Sequence, residues 1–102
     1  LYVVEGALDA MWLNQYGYSS VAVLGASVSN AQANLIGTLR PSEVVLALDN
    51  DSAGKKGIAK ATLDMHNRFL LSYLKLPKGY KDVQEIYNPE TLHKVMQNKA
   101  PW

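Results

Sequence analysis

Three of the chain's acidic residues, Glu5, Asp49 and Asp51, stand where carboxylates can do chemistry, each just past a short apolar, β-rich run. Tyr2 to Val4 precedes Glu5, and Glu43 to Leu48 precedes Asp49. Side chains alternate along an extended backbone, so Asp49 and Asp51 point to one side and Asn50 to the other. If the two runs are neighbouring parallel strands, all three carboxylates gather at one sheet edge, about one strand spacing (roughly 5 Å) apart. Negative charges that close require a cation, either Lys/Arg or a hard divalent metal. An all-oxygen set without His or Cys suits Mg²⁺ or Mn²⁺ rather than zinc. A plainer account is available for Asp51 alone, which can cap a helix, and for Glu5, which can simply be solvated. It does not explain why Glu-Gly at one strand end and Asp-Asn-Asp-Ser-Ala-Gly at another should together need three acids.

The elements that must position these residues follow from periodicity. Gly6 separates the first strand from a helix in which Leu8, Met11, Trp12, Gln15 and Tyr16 recur at helical spacing, and Gly17 ends it as a left-handed cap. Val21 to Leu24 reads as a second strand. Ser29 and Gln32 form a capping box opening a helix that carries Leu35, Ile36 and Leu39, and Pro41 breaks it. After the third strand, Ser52 is the N-cap expected for a long helix from about Ala53 to Arg68 with Ile58, Ala61, Thr62, Met65 and Phe69 inward. Leu70 to Leu76 reads as the fourth strand, residues 78–82 as a loop, and Asn88-Pro89-Glu90 as the start of a last helix. Strands alternating with helices predict an α/β domain: a Rossmann-like, mainly parallel sheet of about four strands, flanked by helices and buried on both faces.

Composition narrows the class. With 102 residues and 48% hydrophobic content the chain can bury one core, so residues 1–102 are expected to form a single domain. Its opening at Leu1 on strand-like residues suggests a piece of a longer polypeptide. No cysteine is present, which excludes disulfides and thiolate zinc sites and fits a reducing compartment, the cytoplasm. No apolar run is long enough to cross a bilayer, so no membrane partner is expected. The net charge of +1 gives no overall basic footprint, yet residues 1–39 hold no Lys or Arg while Lys55, Lys56, Lys60, Arg68, Lys75, Lys78 and Lys81 crowd the second half.

Val-Val-Glu-Gly-Ala-Leu-Asp-Ala (Val3 to Ala10) followed by Ala-Leu-Asp-Asn-Asp-Ser-Ala-Gly (Ala47 to Gly54) resembles the Toprim family, and within it the primase branch. Topoisomerase members follow their Asp-x-Asp with Arg-Glu-Gly-Glu, whereas primase and phage primase-helicase members show Asp-x-Asp-x-Ala-Gly, as here. The resemblance implies a Toprim fold with metal binding at Glu5, Asp49 and Asp51. The branch's Glu-Gly-x-x-Asp falls on Glu5, Gly6 and Asp9. Its acidic loop after strand four falls on Gly79 to Gln84, adding Asp9 and Asp82 as metal ligands; Val83 and Gln84 replace the usual proline and second acid. The family's Leu-Gly-Thr turn is Leu24-Gly25-Ala26 here, with Ser27 as a source of the hydroxyl.

The remaining chemistry-bearing residues divide by their surroundings. Asp9 is also favoured by the helix dipole, whatever else it does. Lys55 and Lys56 lie in a first helical turn, a poor place for a cation unless it meets phosphate, and Lys78 and Lys81 flank Asp82 on the loop; all four are phosphate-binding candidates. Trp12 and Tyr16 are expected in the core, and His66 and His93 on the surface.

The resemblance implies a primase-type nucleotidyltransferase joining ribonucleotides on single-stranded DNA, with Glu5, Asp49 and Asp51 catalytic. Its partners would be the DNA strand, nucleoside triphosphates and a replicative helicase in cis or in trans. Two alternatives use the same residues: a small Toprim-type metal-dependent nuclease, and a non-catalytic interaction module. A zinc ribbon, a P-loop and a basic template-gripping subdomain are absent from these residues and are expected in flanking sequence.

Overall fold

The computed structural model describes residues 1–25, 28–49, 56, 60, 65 and 68–101. The apolar runs become strands: β1 is Tyr2–Val4, β2 Ser20–Ala22, β3 Val44–Leu46, β4 Leu71–Leu74 and β5 Lys99–Pro101. They form one sheet in the order β2-β1-β3-β4-β5, parallel throughout except for β5, which runs antiparallel to β4. β1 lies between β2 and β3, so the chain reverses direction across the sheet after β2, as a doubly wound fold requires.

Alternation along the strands builds two cores. Val4, Val45 and Leu74 pack on one face with Ala10 and Leu13 of α1 (Ala7–Gln15) and Leu92, Val95 and Met96 of α3 (Pro89–Met96). Val3, Val44, Leu46 and Leu71 pack on the other with Ala33 and Ile36 of α2 (Asn30–Thr38) and with Met65. A sheet covered on both faces explains why its strands are nearly continuous apolar runs. Among the described residues, no helix is long and apolar enough to cross a membrane.

Local signals set the helix ends. Ser29 Oγ accepts the Gln32 N–H at 3.1 Å while Gln32 Oε1 accepts the Ser29 N–H at 2.9 Å, a reciprocal capping box. Asn88 Oδ1 accepts from the Glu90 and Thr91 N–H groups ahead of Pro89 at the first turn of α3. Gly17, at φ 86°, turns the chain out of α1 in the left-handed region.

The structure corrects three expectations. A fifth strand joins the predicted four; Lys-Ala-Pro has little β character, but an edge position tolerates proline, and an ion pair from Lys99 to Glu43 holds the strand in place. Glu43 also accepts from the Ser72 hydroxyl, and these two hydrogen bonds, Lys99's first, hold its carboxyl below the usual range. In α1, Leu8 and Met11 are 61% and 65% exposed, while Asp9, Ala10 and Leu13 face inward. Apolar residues surround this helix almost completely, so spacing alone does not choose its buried side. In α2, only Ile36 of the three expected apolar residues is buried; Leu35 and Leu39 are exposed.

Trp12 and Tyr16 do pack against the core as expected, at its margin, with Trp12 Nε1 donating to the Ile86 carbonyl at 3.2 Å. His93 lies on the surface and pairs with the Tyr18 hydroxyl at 2.6 Å. The expected helix over 53–68 falls mostly outside the described residues, as do its N-cap Ser52 and His66.

These assignments predict that Leu13→Ala, at a fully buried position, costs about 2–5 kcal/mol in urea unfolding. Leu35→Ala is expected to stay within about 0.5 kcal/mol of the parent. The reverse ranking would contradict the packing of both helices.

Candidate metal centre

Because β1 and β3 are adjacent and parallel, with Val3 paired to Leu46, the residues that follow them emerge at the same sheet edge. The Ala47 N–H donates to the Val3 carbonyl at 2.8 Å, carrying the ladder one step further before Leu48 and Asp49. Glu5 leaves β1 at this edge, its carbonyl accepting the Leu24 N–H at 2.7 Å.

Asp9 reaches the same place from α1. Its Oδ2 accepts the Gly6 N–H at 3.3 Å, and a Cβ at position 6 would come within 3.1 Å of that oxygen, tighter than ordinary contact. The glycine of Glu5-Gly6 thus lets a carboxylate fold back on the strand-to-helix turn. Asp82 arrives after the loop that follows β4, where Gly79 adopts φ 103°. Its Oδ1 accepts the Glu85 N–H at 3.2 Å, capping a single 3₁₀ turn, Val83–Glu85, that packs on α1.

One oxygen each from Asp9, Asp49 and Asp82 lies within 4.8 Å of the other two. Asp9 is buried and the other two half-buried. Burial first, then the charges of Asp82 and Asp49, push the Asp9 carboxyl up to about 6, against the opposing pull of the Gly6 and Gln84 N–H groups. Asp9 Oδ1 is shut off from solvent with no hydrogen-bond partner among the described residues. No lysine or arginine among those residues lies within ion-pair distance of Asp9 or Asp82. Three converging carboxylates and a buried, unsatisfied oxygen fit a hard divalent cation bound through oxygen.

The triad differs in membership from the trio singled out by strand alternation. Asp49 is common to both. Glu5 is at the same edge with Oε1 buried, yet is not one of the three converging residues, and Asp51 lies outside the described residues. Asp9 and Asp82 take part because a helix turn and a loop fold back over the edge, which periodicity cannot show; the Glu-Gly-x-x-Asp spacing was the signal for Asp9. Lys56, Lys78 and Lys81 are exposed, and Lys55 lies outside the described residues.

A doubly wound sheet whose strand ends collect carboxylates defines the class as a Rossmann-like α/β domain with an acidic cluster able to hold a metal ion. A family model described as Toprim-like matches residues 2–87, and the chain belongs to that family. It is 33% identical over 100 residues to a DNA primase of Thermotoga maritima, covering 94% of this chain and 18% of that protein. To a DNA primase of Mycoplasma genitalium it is 29% identical over 90 residues, covering 85% of this chain and 15% of that protein. The crystal structure of the Aquifex aeolicus primase zinc-binding and RNA polymerase domains superposes with a TM-score of 0.81 at 28% identity, covering 99% of this chain and 26% of the other. The chain thus spans less than a fifth of the length of the curated relatives it matches.

Asp9 makes the metal-free domain's stability depend on pH. Its folded-state value lies above the ordinary one near 4, so its contribution is complete below about pH 4 and is lost as pH rises through about 6. In chelator, the parent should lose up to about 3 kcal/mol more than Asp9→Asn between pH 4 and pH 7. Urea unfolding at both pH values measures this; parallel pH profiles would refute the buried, crowded state of Asp9.

Proposed function

We propose that this chain is the metal-binding core of a DNA primase, joining ribonucleotides on a single-stranded DNA template with Mg²⁺ or Mn²⁺. The observation carrying this reading is the convergence of Asp9, Asp49 and Asp82, with one oxygen of Asp9 buried and unsatisfied. The relatives named above, DNA primases by name, supply the reaction class. Asp9, Asp49 and Asp82 would hold the cation, with Glu5 at the same edge and Asp51, two residues after Asp49 in the sequence, as further acids of the set. A divalent ion bound there would neutralise phosphoryl oxygens and align attacking and leaving groups.

The protein's own part is to hold the geometry. Backbone N–H groups of Gly6 and Glu85 fix the Asp9 and Asp82 carboxylates before substrate arrives, so little reorganisation is needed during the reaction. Glu5 either joins the ligands or accepts the proton of the attacking hydroxyl. Lys55, Lys56, Lys78 and Lys81 meet phosphates of nucleotide or template. A replicative helicase, in cis or in trans, is the protein partner this activity calls for, and the cytoplasm the compartment.

Two measurements test the reading. Mn²⁺ at 100 times its dissociation constant should stabilise the domain by about 2.7 kcal/mol, a gain lost in Asp49→Asn and Asp82→Asn; a melting temperature indifferent to the ion would remove the metal centre. In the polypeptide carrying this domain, Asp49→Asn should lower ribonucleotide incorporation on single-stranded DNA about 100-fold or more. Cleavage of the strand without primer synthesis would instead assign a nuclease.

A further inference from the structure

An open groove of about 360 Å³ lies between the end of β4 and the C-terminal end of α3, bordered by Lys75, Pro77, Lys94, Val95, Gln97 and Asn98. No acidic side chain among the described residues borders it. Both lysines are exposed, and neither forms an ion pair with another described residue. Two ammonium groups around one concavity repel each other and raise the local potential, which a bound anion relieves.

The helix pole explains one of them. Lys94 sits in the last turn of α3, where a cation is favoured without any ligand. Lys75 has no such reason: it directly follows β4, at the carboxyl end of a parallel strand, the edge where ligands of such sheets collect. Asn98 adds an amide donor, and Pro77 and Val95 supply an apolar wall. Pro77 also opens the segment that carries Lys78 and Lys81 and ends at Asp82, one of the three converging carboxylates.

We infer that this groove binds a phosphodiester of a single nucleic-acid strand, with Lys75 and Lys94 as its charge contacts, and holds that strand beside the carboxylates. The inference rests on the primase reading and extends it to a surface distinct from the metal centre.

Anisotropy of a labelled oligothymidylate binding to the chain, across a salt series, tests it. Each phosphate contact on a single strand adds about 0.7 to the slope of log affinity against log salt, so Lys75→Gln with Lys94→Gln should reduce the slope by about 1.4, and each single change by half of that. Low-salt affinity should fall several-fold. An unchanged slope, or a parent chain that does not bind the oligonucleotide at low salt, overturns the inference. ATP that displaces the oligonucleotide and itself weakens in the double variant would give the groove to a nucleoside triphosphate and end the strand assignment. Melting with Mn²⁺ separates the two readings: a shift retained in the lysine variants leaves the metal centre standing whatever the groove does, whereas loss of the shift in the parent counts against the primase reading itself.

Discussion

Mutual repulsion of carboxylates at one sheet edge is the constraint around which this domain is arranged. Asp9, Asp49 and Asp82 come from a helix, a strand end and a loop that are far apart in the chain, yet their oxygens lie within 4.8 Å of one another. Bringing such charges together opposes folding unless protons or a cation offset them. The rise of the Asp9 carboxyl to about 6 is the mark of that conflict, and a divalent ion is its natural resolution.

The rest of the fold supplies the force that holds the acids in place. Two apolar layers grip a sheet whose central strands are almost wholly buried, and α1 is held on one face by Ala10 and Leu13. That docking presses Asp9 toward the strand ends, and Gly6 leaves room for it. On the far side of Asp9, the 3₁₀ turn capped by Asp82 packs against the same helix, so one interface positions two of the three carboxylates. Glu43, at the opposite end of β3, shows the contrary electrostatic case. Hydrogen bonds from Lys99 and Ser72 favour its charged form and lower its pKa, whereas the crowded carboxylates raise that of Asp9.

Charge is segregated in keeping with this arrangement. The first 39 residues, which form β1, α1, β2 and α2, contribute no Lys or Arg, while the later elements contribute the lysines near the loop and groove.

Much of the fold was legible from local patterning. The β-rich runs, the Ser29–Gln32 capping box, the Asn88-Pro89 helix start and the Gly17 cap depend on near neighbours, and all appear as expected. The strand–helix alternation pointed to a parallel sheet, and the structure meets the condition set for the acids by pairing β1 with β3 so that the ends of both lie at a common edge. Three things were decided only by tertiary structure. α1 carries apolar residues nearly all around, so contact with the sheet selected Ala10 and Leu13 and left Leu8 and Met11 outside. β5 exists because β4 offered an open edge and Glu43 a partner for Lys99, neither of which can be read from Lys-Ala-Pro. The motifs name Asp9, Asp49 and Asp82 among five acidic candidates, but which of them converge depended on a helix turn and a loop folding back over the sheet edge. Periodicity ranks residues by direction along one element, but it carries no information about the distance between side chains on different ones.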